Sequence, residues 1–394
     1  MMACRSEQRE FSQAKHHGYY LRGADEMAAI DFIFTGDLVL DEPPADFWLG
    51  GIAPLTLAAD VTIGHLEVPH THRGIEVGGD VPAPGADPAH LSALERAGFD
   101  VLTLAGNHIA DCGAEGIDDT RRELDRLGII CCGAGSTLSR ARQPARLLCA
   151  GRRVAVLSYN CVGPESGWAT SDKAGCAYVR IATADGQPVN PTAPLVAPER
   201  NSLTEMQSDI AAAAADSDLV IVALHKGLVH TPARLAPYEQ PVAYAAIEAG
   251  ANAVIGHHAH IIRGMEVYLG KPIFHGLGNG CVVTRALSPH QDHPARAAWA
   301  LKRKQMFGFE PDPEYWLAPF HPEAVHALLG RLRWHEDGRI EAGFVPVHVE
   351  APGRPVIANA MQAAAITAYM TRITLAAGLP PLNFTPCDGM MVAA

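Results

Sequence analysis

The chain has 394 residues, of which 48% are hydrophobic and 19% are charged. A chain of this length and composition can bury a substantial core, which excludes disordered, collagen-like and coiled-coil proteins. The net charge of −12 disfavours binding to nucleic acid or anionic lipid, because both require clustered positive charge. The chain contains 19 histidines, and histidine is the commonest metal ligand in proteins, so their distribution is informative.

Residues 1–27 are predicted to be an N-terminal extension that is a candidate for disorder, with the start codon at either Met1 or Met27. This segment carries charged residues where a signal peptide needs an apolar centre. No apolar run reaches the roughly 18 residues that a membrane-spanning helix requires. The sequence therefore predicts a cytoplasmic protein that does not associate with a membrane.

From residue 28 onward, short apolar runs alternate with helical patterns. Strands are predicted over residues 30–35, 59–63, 99–104, 129–132, 154–159, 219–224, 253–255 and 272–274. Helices are predicted between Pro88 and Gly98 and over residues 114–127, 204–215 and 237–249. Such alternation is typical of a layered α/β domain with largely buried strands.

Two segments interrupt the alternation. Residues 160–203 are predicted to be a loop insertion, and residues 284–322 read as a lid-like loop rich in proline and aromatic residues. A strand pair over residues 328–334 and 340–349 follows, and then a terminal helix over residues 358–377. We therefore expect one main domain over residues 28–283, with residues 284–394 completing the same domain.

Residues that can bind a metal or move a proton fall at or just after the predicted strands. They are Asp37, His65, Glu67, Asn107, His108, His225, His257, His258 and His260. Loops at the carboxyl ends of the strands of an α/β sheet form the usual site crevice. Any one of these residues alone is more often structural. Their ordered recurrence after successive strands, often behind a glycine, instead predicts a metal site of carboxylates, amide oxygen and imidazoles.

The ordered motifs resemble those of the bacterial capsule and poly-γ-glutamate synthesis protein family (CapA-type), within the calcineurin-like metallophosphoesterase superfamily. The residues that carry the resemblance run from about residue 30 to residue 279. They are Thr35-Gly36-Asp37, Leu66-Glu67, Ala105-Gly106-Asn107-His108, His225-Lys226-Gly227, Gly256-His257-His258-Ala259-His260 and Leu277-Gly278-Asn279.

The resemblance implies a layered α/β/β/α metallophosphoesterase-like sandwich that holds one or two divalent metal ions, of Mn, Zn, Fe or Ca. The metal ligands that it implies are Asp37, Glu67, Asn107, His225, His258 and His260, with Glu67 as the bridging carboxylate. It also implies that His108 stays off the metals and acts as general acid or transition-state stabiliser.

The chain departs from the superfamily pattern at several positions. Val39 stands where the first motif, Asp-x-His, has its histidine. His65 replaces an asparagine that is usual in the family, and His257 is an additional histidine in the Gly-His-x-His motif, so both are possible further ligands. Lys226 replaces a usual tryptophan and is a candidate contact for an anionic substrate or a solvated residue.

The pattern predicts a soluble metal-dependent hydrolase that uses a metal-activated water on a phosphoester or an amide of a small anionic substrate. Arg73 and the segment Pro319-Phe320-His321-Pro322 are further candidate substrate contacts. The expected partner is a small molecule or a short polymer, with no nucleic acid and no membrane, and a homo-oligomer is possible. The alternative is a non-catalytic accessory protein of capsule or poly-γ-glutamate synthesis.

Overall fold

The structure, a computed structural model, describes residues 2–3, 29–76, 85–189, 193–288 and 293–393. The predicted N-terminal extension, residues 1–27, lies outside the described residues apart from residues 2–3. The helices are α1 (Ala45–Leu49), α2 (Ala53–Ala58), α3 (Leu91–Arg96), α4 (Gly113–Arg126), α5 (Leu138–Ala141), α6 (Arg200–Ala215), α7 (Glu239–Glu248), α8 (Pro294–Phe307) and α9 (Ala360–Ala376).

The strands supply two large sheets and two short hairpin-like pairs. They are β1 (Met2–Ala3), β2 (Ile30–Leu40), β3 (Val61–Leu66), β4 (Val101–Thr103), β5 (Ile130–Cys132), β6 (Ala134–Gly135), β7 (Ala145–Cys149), β8 (Arg152–Asn160), β9 (Gly175–Cys176), β10 (Ile181–Thr183), β11 (Leu195–Pro198), β12 (Leu219–His225), β13 (Ala253–His257), β14 (Met265–Tyr268), β15 (Lys271–Phe274), β16 (Asn279–Val283), β17 (His326–Trp334), β18 (Ile340–Glu350), β19 (Arg354–Ile357), β20 (Phe384–Cys387) and β21 (Met390–Ala393).

The described strands form a first sheet in the order β1-β7-β8-β12-β13-β15-β14 and a second in the order β20-β21-β18-β17-β2-β3-β4-β5. In the second sheet, β16 also pairs with β2, and β19 pairs with β18. Neighbouring strands run parallel in one part of each sheet, β8-β12-β13 in the first and β2-β3-β4-β5 in the second, where β5 is the last strand. The carboxyl ends of these parallel strands therefore lie at the same end of their sheet.

The two sheets pack face to face, and helices cover their outer faces. Alternate residues of one strand point to opposite sides, so Phe32 and Phe34 of β2 join a core shared by both sheets. Ile33 and Leu38 of the same strand pack in the other core with helical residues such as Leu94. The predicted layered α/β/β/α arrangement is confirmed.

The C-terminal segment is part of this architecture. Strand β17 pairs antiparallel with β2 from Gly330↔Phe34 to Trp334↔Ile30, so residues beyond 284 extend the second sheet. The predicted strand pair appears as β17 and β18, and the predicted terminal helix as α9. In the described residues, no helix combines the length and the hydropathy that crossing a membrane requires.

Three local expectations are wrong. The first strand does not end at residue 35 but continues to Leu40, because β16 pairs with its second half. The lid-like loop contains a helix of 14 residues, α8, instead of only irregular chain. The loop insertion over residues 160–203 holds β9, β10 and β11, and its last residues already belong to α6.

Candidate metal centre

The structure brings together all six residues for which metal ligation is predicted. They lie at the carboxyl ends of the central strands, where the second sheet contributes oxygen ligands and the first sheet contributes imidazoles. The six are Asp37, Glu67, Asn107, His225, His258 and His260. All are buried except His260, whose side chain retains 13% of its accessible surface.

A bulge in β2 places Asp37 at the centre of this cluster. The pairing of β2 with β3 shifts register between Phe34 and Asp37, so Asp37 lies within the strand and not after it. Gly36 is required here, because a Cβ at this position would lie 1.9 Å from the carbonyl oxygen of Gly278. The Asp37 carboxylate accepts the backbone N–H of His258 at 3.1 Å, which ties the two sheets together at the site.

One group of ligand atoms comes from Asn107, His225 and His258. The Nε2 atom of His225 lies 2.7 Å from Oδ1 of Asn107 and 3.1 Å from Nδ1 of His258. His258 has a φ of 88°, a conformation that side-chain-bearing residues rarely adopt. This strained backbone conformation directs the imidazole toward the cluster, and such strain is typical of functional sites.

A second group consists of Asp37, Glu67 and His260, whose ligand atoms all lie within 4.8 Å of one another. The Nε2 atom of His260 is 3.3 Å from Oε1 of Glu67, and its Nδ1 atom is 3.6 Å from Oδ2 of Asp37. Asn279 holds the ring in place, because its Oδ1 lies 3.0 Å from Nδ1 of His260. Asp37 belongs to both this group and a group with His65 and His225, so its carboxylate adjoins both halves of the cluster.

The two additional histidines differ in their surroundings. The Nδ1 atom of His65 lies 3.0 Å from the Thr103 hydroxyl, which donates to the carbonyl of Gly64 and therefore accepts from the ring. This leaves Nε2 of His65 unprotonated, buried and without a described hydrogen-bond partner. His257 instead donates from Nε2 to the carbonyl of Thr35 at 3.1 Å, which ties β13 to β2. His65 thus resembles a further ligand, whereas His257 joins the two sheets.

His108 lies at the mouth of the cluster, on the cavity that Glu67 and His260 also line. Its Nδ1 atom is 2.6 Å from Oδ2 of Asp111, three residues further along the chain. A carboxylate at this distance fixes the orientation of the imidazole and stabilises its protonated form. This arrangement is suited to a general acid.

The electrostatics of the cluster fit a divalent cation. Burial lowers the pKa of His258 to about 3 and holds that of His225 well below the usual range, so both imidazoles are neutral. Burial and the nearby Glu67 raise the pKa of Asp37 to about 8. Burial alone would lower the pKa of His260, but Glu67 and Asp37 raise it to about 9.

Both carboxylate oxygens of Glu67 are buried without a hydrogen-bond partner among the described residues. Without a metal ion, the charge of Glu67 is balanced by the protonated ring of His260, 3.3 Å from Oε1, and a divalent cation would replace that proton. The donor set of carboxylate, amide oxygen and imidazole suits divalent ions such as Mn, Zn or Fe. The residues present therefore fit one or two divalent metal ions.

A small cavity, of about 50 Å³, leads to the cluster. Its walls are mostly apolar, with Val39, Val68, Val282 and Phe320 among them. No Lys or Arg is among the described residues that line it. Phe320, which lies in the segment predicted as a candidate substrate contact, stacks on His260 with ring centroids 4.6 Å apart.

The structure corrects the expectation for Lys226. Its side chain is fully buried, and its Nζ lies 3.0 Å from both Oε2 of Glu239 and Nδ1 of His275. Successive residues of an extended chain point to opposite faces, so His225 faces the cluster and Lys226 faces helix α7. Lys226 is therefore not available to a substrate or a metal ion.

Arg73 and His321 are not brought into the cluster either. The exposed guanidinium of Arg73 binds the carboxylate of Asp119 on helix α4 and lines a separate surface cavity. His321 begins a short 3₁₀ helix, and its Nδ1 accepts the backbone N–H of Glu323. Both side chains therefore make their described contacts outside the cluster.

Comparison with known proteins identifies the family of the chain. The family model "Bacterial capsule synthesis protein PGA_cap" matches residues 29–282. The chain is 32% identical over 245 residues to a probable polyglutamine synthesis accessory protein of Mycobacterium tuberculosis, covering 60% of each chain. It is 28% identical over 189 residues to the capsule biosynthesis protein CapA of Bacillus anthracis, covering 48% of this chain and 41% of that protein.

Among solved structures, a calcineurin-like phosphoesterase from Bacillus subtilis aligns with a TM-score of 0.35 at 12% identity, covering 89% of this chain and 97% of that one. The matched family residues include every strand that contributes to the cluster. The family match confirms the resemblance to the CapA-type family noted in the sequence. The chain belongs to the bacterial capsule synthesis protein family PGA_cap.

Proposed function

We propose that this protein is a metal-dependent hydrolase. The observation that carries the proposal is the convergence of carboxylate, amide and neutral imidazole groups at the base of an open cavity. They belong to Asp37, Glu67, Asn107, His225 and His258. A structural metal site is closed and usually rich in cysteine, whereas this cluster faces a cavity. The arrangement is that of a site that keeps positions for water and substrate.

Divalent ions held by these residues would lower the pKa of a bound water to near neutrality and polarise the scissile group. The chain itself supplies the remaining steps. His108, oriented by Asp111, holds a proton at the cavity and donates it to the leaving group. Asn279 fixes the ring of His260, so that the ligand geometry does not depend on the substrate.

The bond that is cleaved is a phosphoester or an amide, since both reactions use the same metal-activated water and general acid. The substrate is a small molecule or a short polymer that enters the cavity lined by Val39 and Phe320. A cytoplasmic location and a homo-oligomer remain predictions from the sequence.

A non-catalytic role is the second candidate, and two observations favour it. The relative from M. tuberculosis is named as an accessory protein of polyglutamine synthesis. Val39 also removes one donor that the superfamily motif supplies. In this case the cluster binds a metal or an anionic ligand without turnover, as part of the synthesis of a capsule or of poly-γ-glutamate.

One experiment distinguishes the hydrolase from the accessory role. Purified protein is loaded with Mn²⁺, Zn²⁺, Fe²⁺ or Ca²⁺, its metal content is measured, and panels of phosphoesters and amides are assayed. A hydrolase gives metal-dependent turnover that Asp37→Ala and His258→Ala abolish together with metal binding. His72→Ala is the matched control, because that side chain is 73% exposed and lies outside the cluster.

Stoichiometric metal without turnover on any panel favours the accessory role. Substoichiometric metal under all conditions refutes both the hydrolase and the metal centre. Turnover that survives in His258→Ala refutes the assignment of the ligands.

A further inference from the structure

Helix α8 is packed in an unusual way. It buries Arg303, which is 3% exposed, and exposes Leu301, which is 71% exposed. Arg303 is its only buried residue among those whose burial is described. Residues 294–307 contain four Lys or Arg and no Asp or Glu. A helix held by the hydrophobic effect shows the opposite arrangement, so the burial of Arg303 requires another explanation.

The guanidinium of Arg303 has no carboxylate partner among the described residues. Its Nη2 atom lies 3.2 Å from Nε2 of His230, and its Nε atom is buried without a hydrogen-bond partner. Burial lowers the pKa of Arg303 to about 10. By contrast, the equally buried Arg263 pairs with the carboxylate of Glu239 at 3.1 Å. An uncompensated buried charge costs several kcal/mol, which is rarely retained without a use.

Arg303 lies directly behind the candidate metal centre. The ring of His230 is 6.0 Å from that of His260, and the guanidinium carbon is 5.6 Å from the ring centroid of Phe320, which stacks on His260. The unpaired Nε–H and the second hydrogen of Nη2 form a fork. Such a fork matches two oxygens of one carboxylate or phosphate group.

We propose that Arg303, supported by His230, binds a carboxylate or phosphate group of the substrate that is remote from the bond cleaved at the metal centre. The inference rests on the proposed function, because one substrate molecule contacts both Arg303 and the metal centre. It explains how a cavity lined by no described Lys or Arg recognises an anionic molecule. The positive charge that binds this group comes from Arg303 on helix α8.

The anion reaches Arg303 by a local displacement of Phe320 or of α8. Movement of the helix leaves the already exposed Leu301 in solvent but separates Phe307 from His230, whose ring centroids lie 5.0 Å apart. The helix also carries an ion pair, Arg296 with Glu76, about two turns closer to its start.

The test compares Arg303→Met with Lys302→Met, which removes the same charge from the exposed neighbouring position. Thermal unfolding is measured in chelator, with millimolar glutarate in one arm and millimolar inorganic phosphate in the other. We expect either anion to raise the unfolding midpoint of the wild type and of Lys302→Met, but not that of Arg303→Met. A response to glutarate alone identifies a carboxylate, and a response to phosphate alone identifies a phosphate.

Without anions, Arg303→Met should unfold at the same midpoint as the wild type or above it, because the substitution removes an uncompensated charge. A lower midpoint would show that Arg303 only fastens α8 to His230, and would overturn the proposal. So would an anion response that persists in Arg303→Met, or a wild type that responds to neither anion.

A second measurement uses the metal-loaded protein and 4-nitrophenyl phosphate with or without a ring carboxylate. Arg303→Met should raise KM roughly 10- to 100-fold for the carboxylated compound only, the factor expected for hydrogen bonds to a charged group. Equal effects on both compounds would contradict recognition of a remote anion. Because the unfolding test needs no turnover, failure of the hydrolase proposal leaves the anion response intact, and the two outcomes are distinguishable.

Discussion

The substitution Lys226→Met tests whether the buried ion network behind the metal centre stabilises the fold or serves the substrate. Lys226 and Glu239 are both fully buried, with Nζ and Oε2 3.0 Å apart. Nη2 of Arg263 lies 3.1 Å from the other oxygen of the same carboxylate. Methionine keeps the length of the side chain and removes its charge, so the substitution isolates the ion pair.

The expected loss follows from the burial of both partners. Removing one member of a buried pair costs about 3–5 kcal/mol, because the other charge remains desolvated. Burial alone would raise the pKa of Glu239, but Arg263 and Lys226 together hold it at about 2. Since Arg263 remains in the variant, we expect the lower end of the range, about 3 kcal/mol. A chain of 394 residues has an unfolding entropy of about 0.8 kcal/mol per kelvin, so 3 kcal/mol should lower the unfolding midpoint by about 4 °C.

The assay is urea and thermal unfolding of Lys226→Met beside Arg96→Met. Arg96 also makes a short ion pair, 2.7 Å to Asp46, but its side chain is 52% exposed, so its loss should cost under about 1 kcal/mol. KM of the folded Lys226→Met protein should equal that of the wild type. A variant with wild-type stability and a raised KM would refute the structural role and restore Lys226 as a substrate contact.

Two further predictions concern acid stability and the proposed general acid. In chelator, the free energy of unfolding should fall by at least about 4 kcal/mol per pH unit between roughly pH 6 and 5, at about 1.4 kcal/mol per proton. Burial lowers the pKa of His70, His257, His258 and His275 to about 3 or 4, so the unfolded chain takes up four protons there. Asp37, whose pKa of about 8 keeps it protonated in the fold, opposes one of them. Burial also holds the pKa of His65, His225 and His230 well below the usual range, so their protons add to the slope. Urea unfolding at several pH values checks this slope, and a flat profile would contradict it. Asp111→Asn should lower kcat about 10- to 100-fold at unchanged metal content, because it loosens His108 without touching a ligand, and a loss of metal would contradict that role.

The fold class was predictable from the sequence, but the position of Asp37 within β2 was not. The motif around Asp37 predicts a ligand position, whereas the apolar run predicts a strand that ends before it. The pairing of β16 with Asp37 and the residues beyond it depends on a segment about 240 residues away in the chain. A local pattern contains no information on such a partner, so the position of Asp37 within a strand was not predictable.

Lys226 and Phe320 show that the residue type alone does not predict which side chains line the site. Chemical type suggested Lys226, which points away from the site, and it did not distinguish Phe320, which lines the cavity, from its neighbours in the predicted contact segment. Alternation along β12 would have assigned His225 and its neighbour to opposite faces, had the strand been predicted to reach His225. The position of Phe320 depends on the path of the chain after α8. The sequence predicted only a lid-like loop over residues 284–322.

The absence of a histidine at position 39 is compatible with catalysis once its surroundings are considered. Asp37 and Val39 share one face of β2, and Val39 lines the cavity beside Glu67 and His260. A metal ion held by Asp37, Glu67 and His260 alone has three protein ligands, the number at which catalytic zinc sites retain an open position. The missing donor therefore leaves room for water or substrate where a fourth ligand would stand. The apolar wall that replaces it also lowers the local dielectric, which strengthens the electrostatic action of any cation bound there.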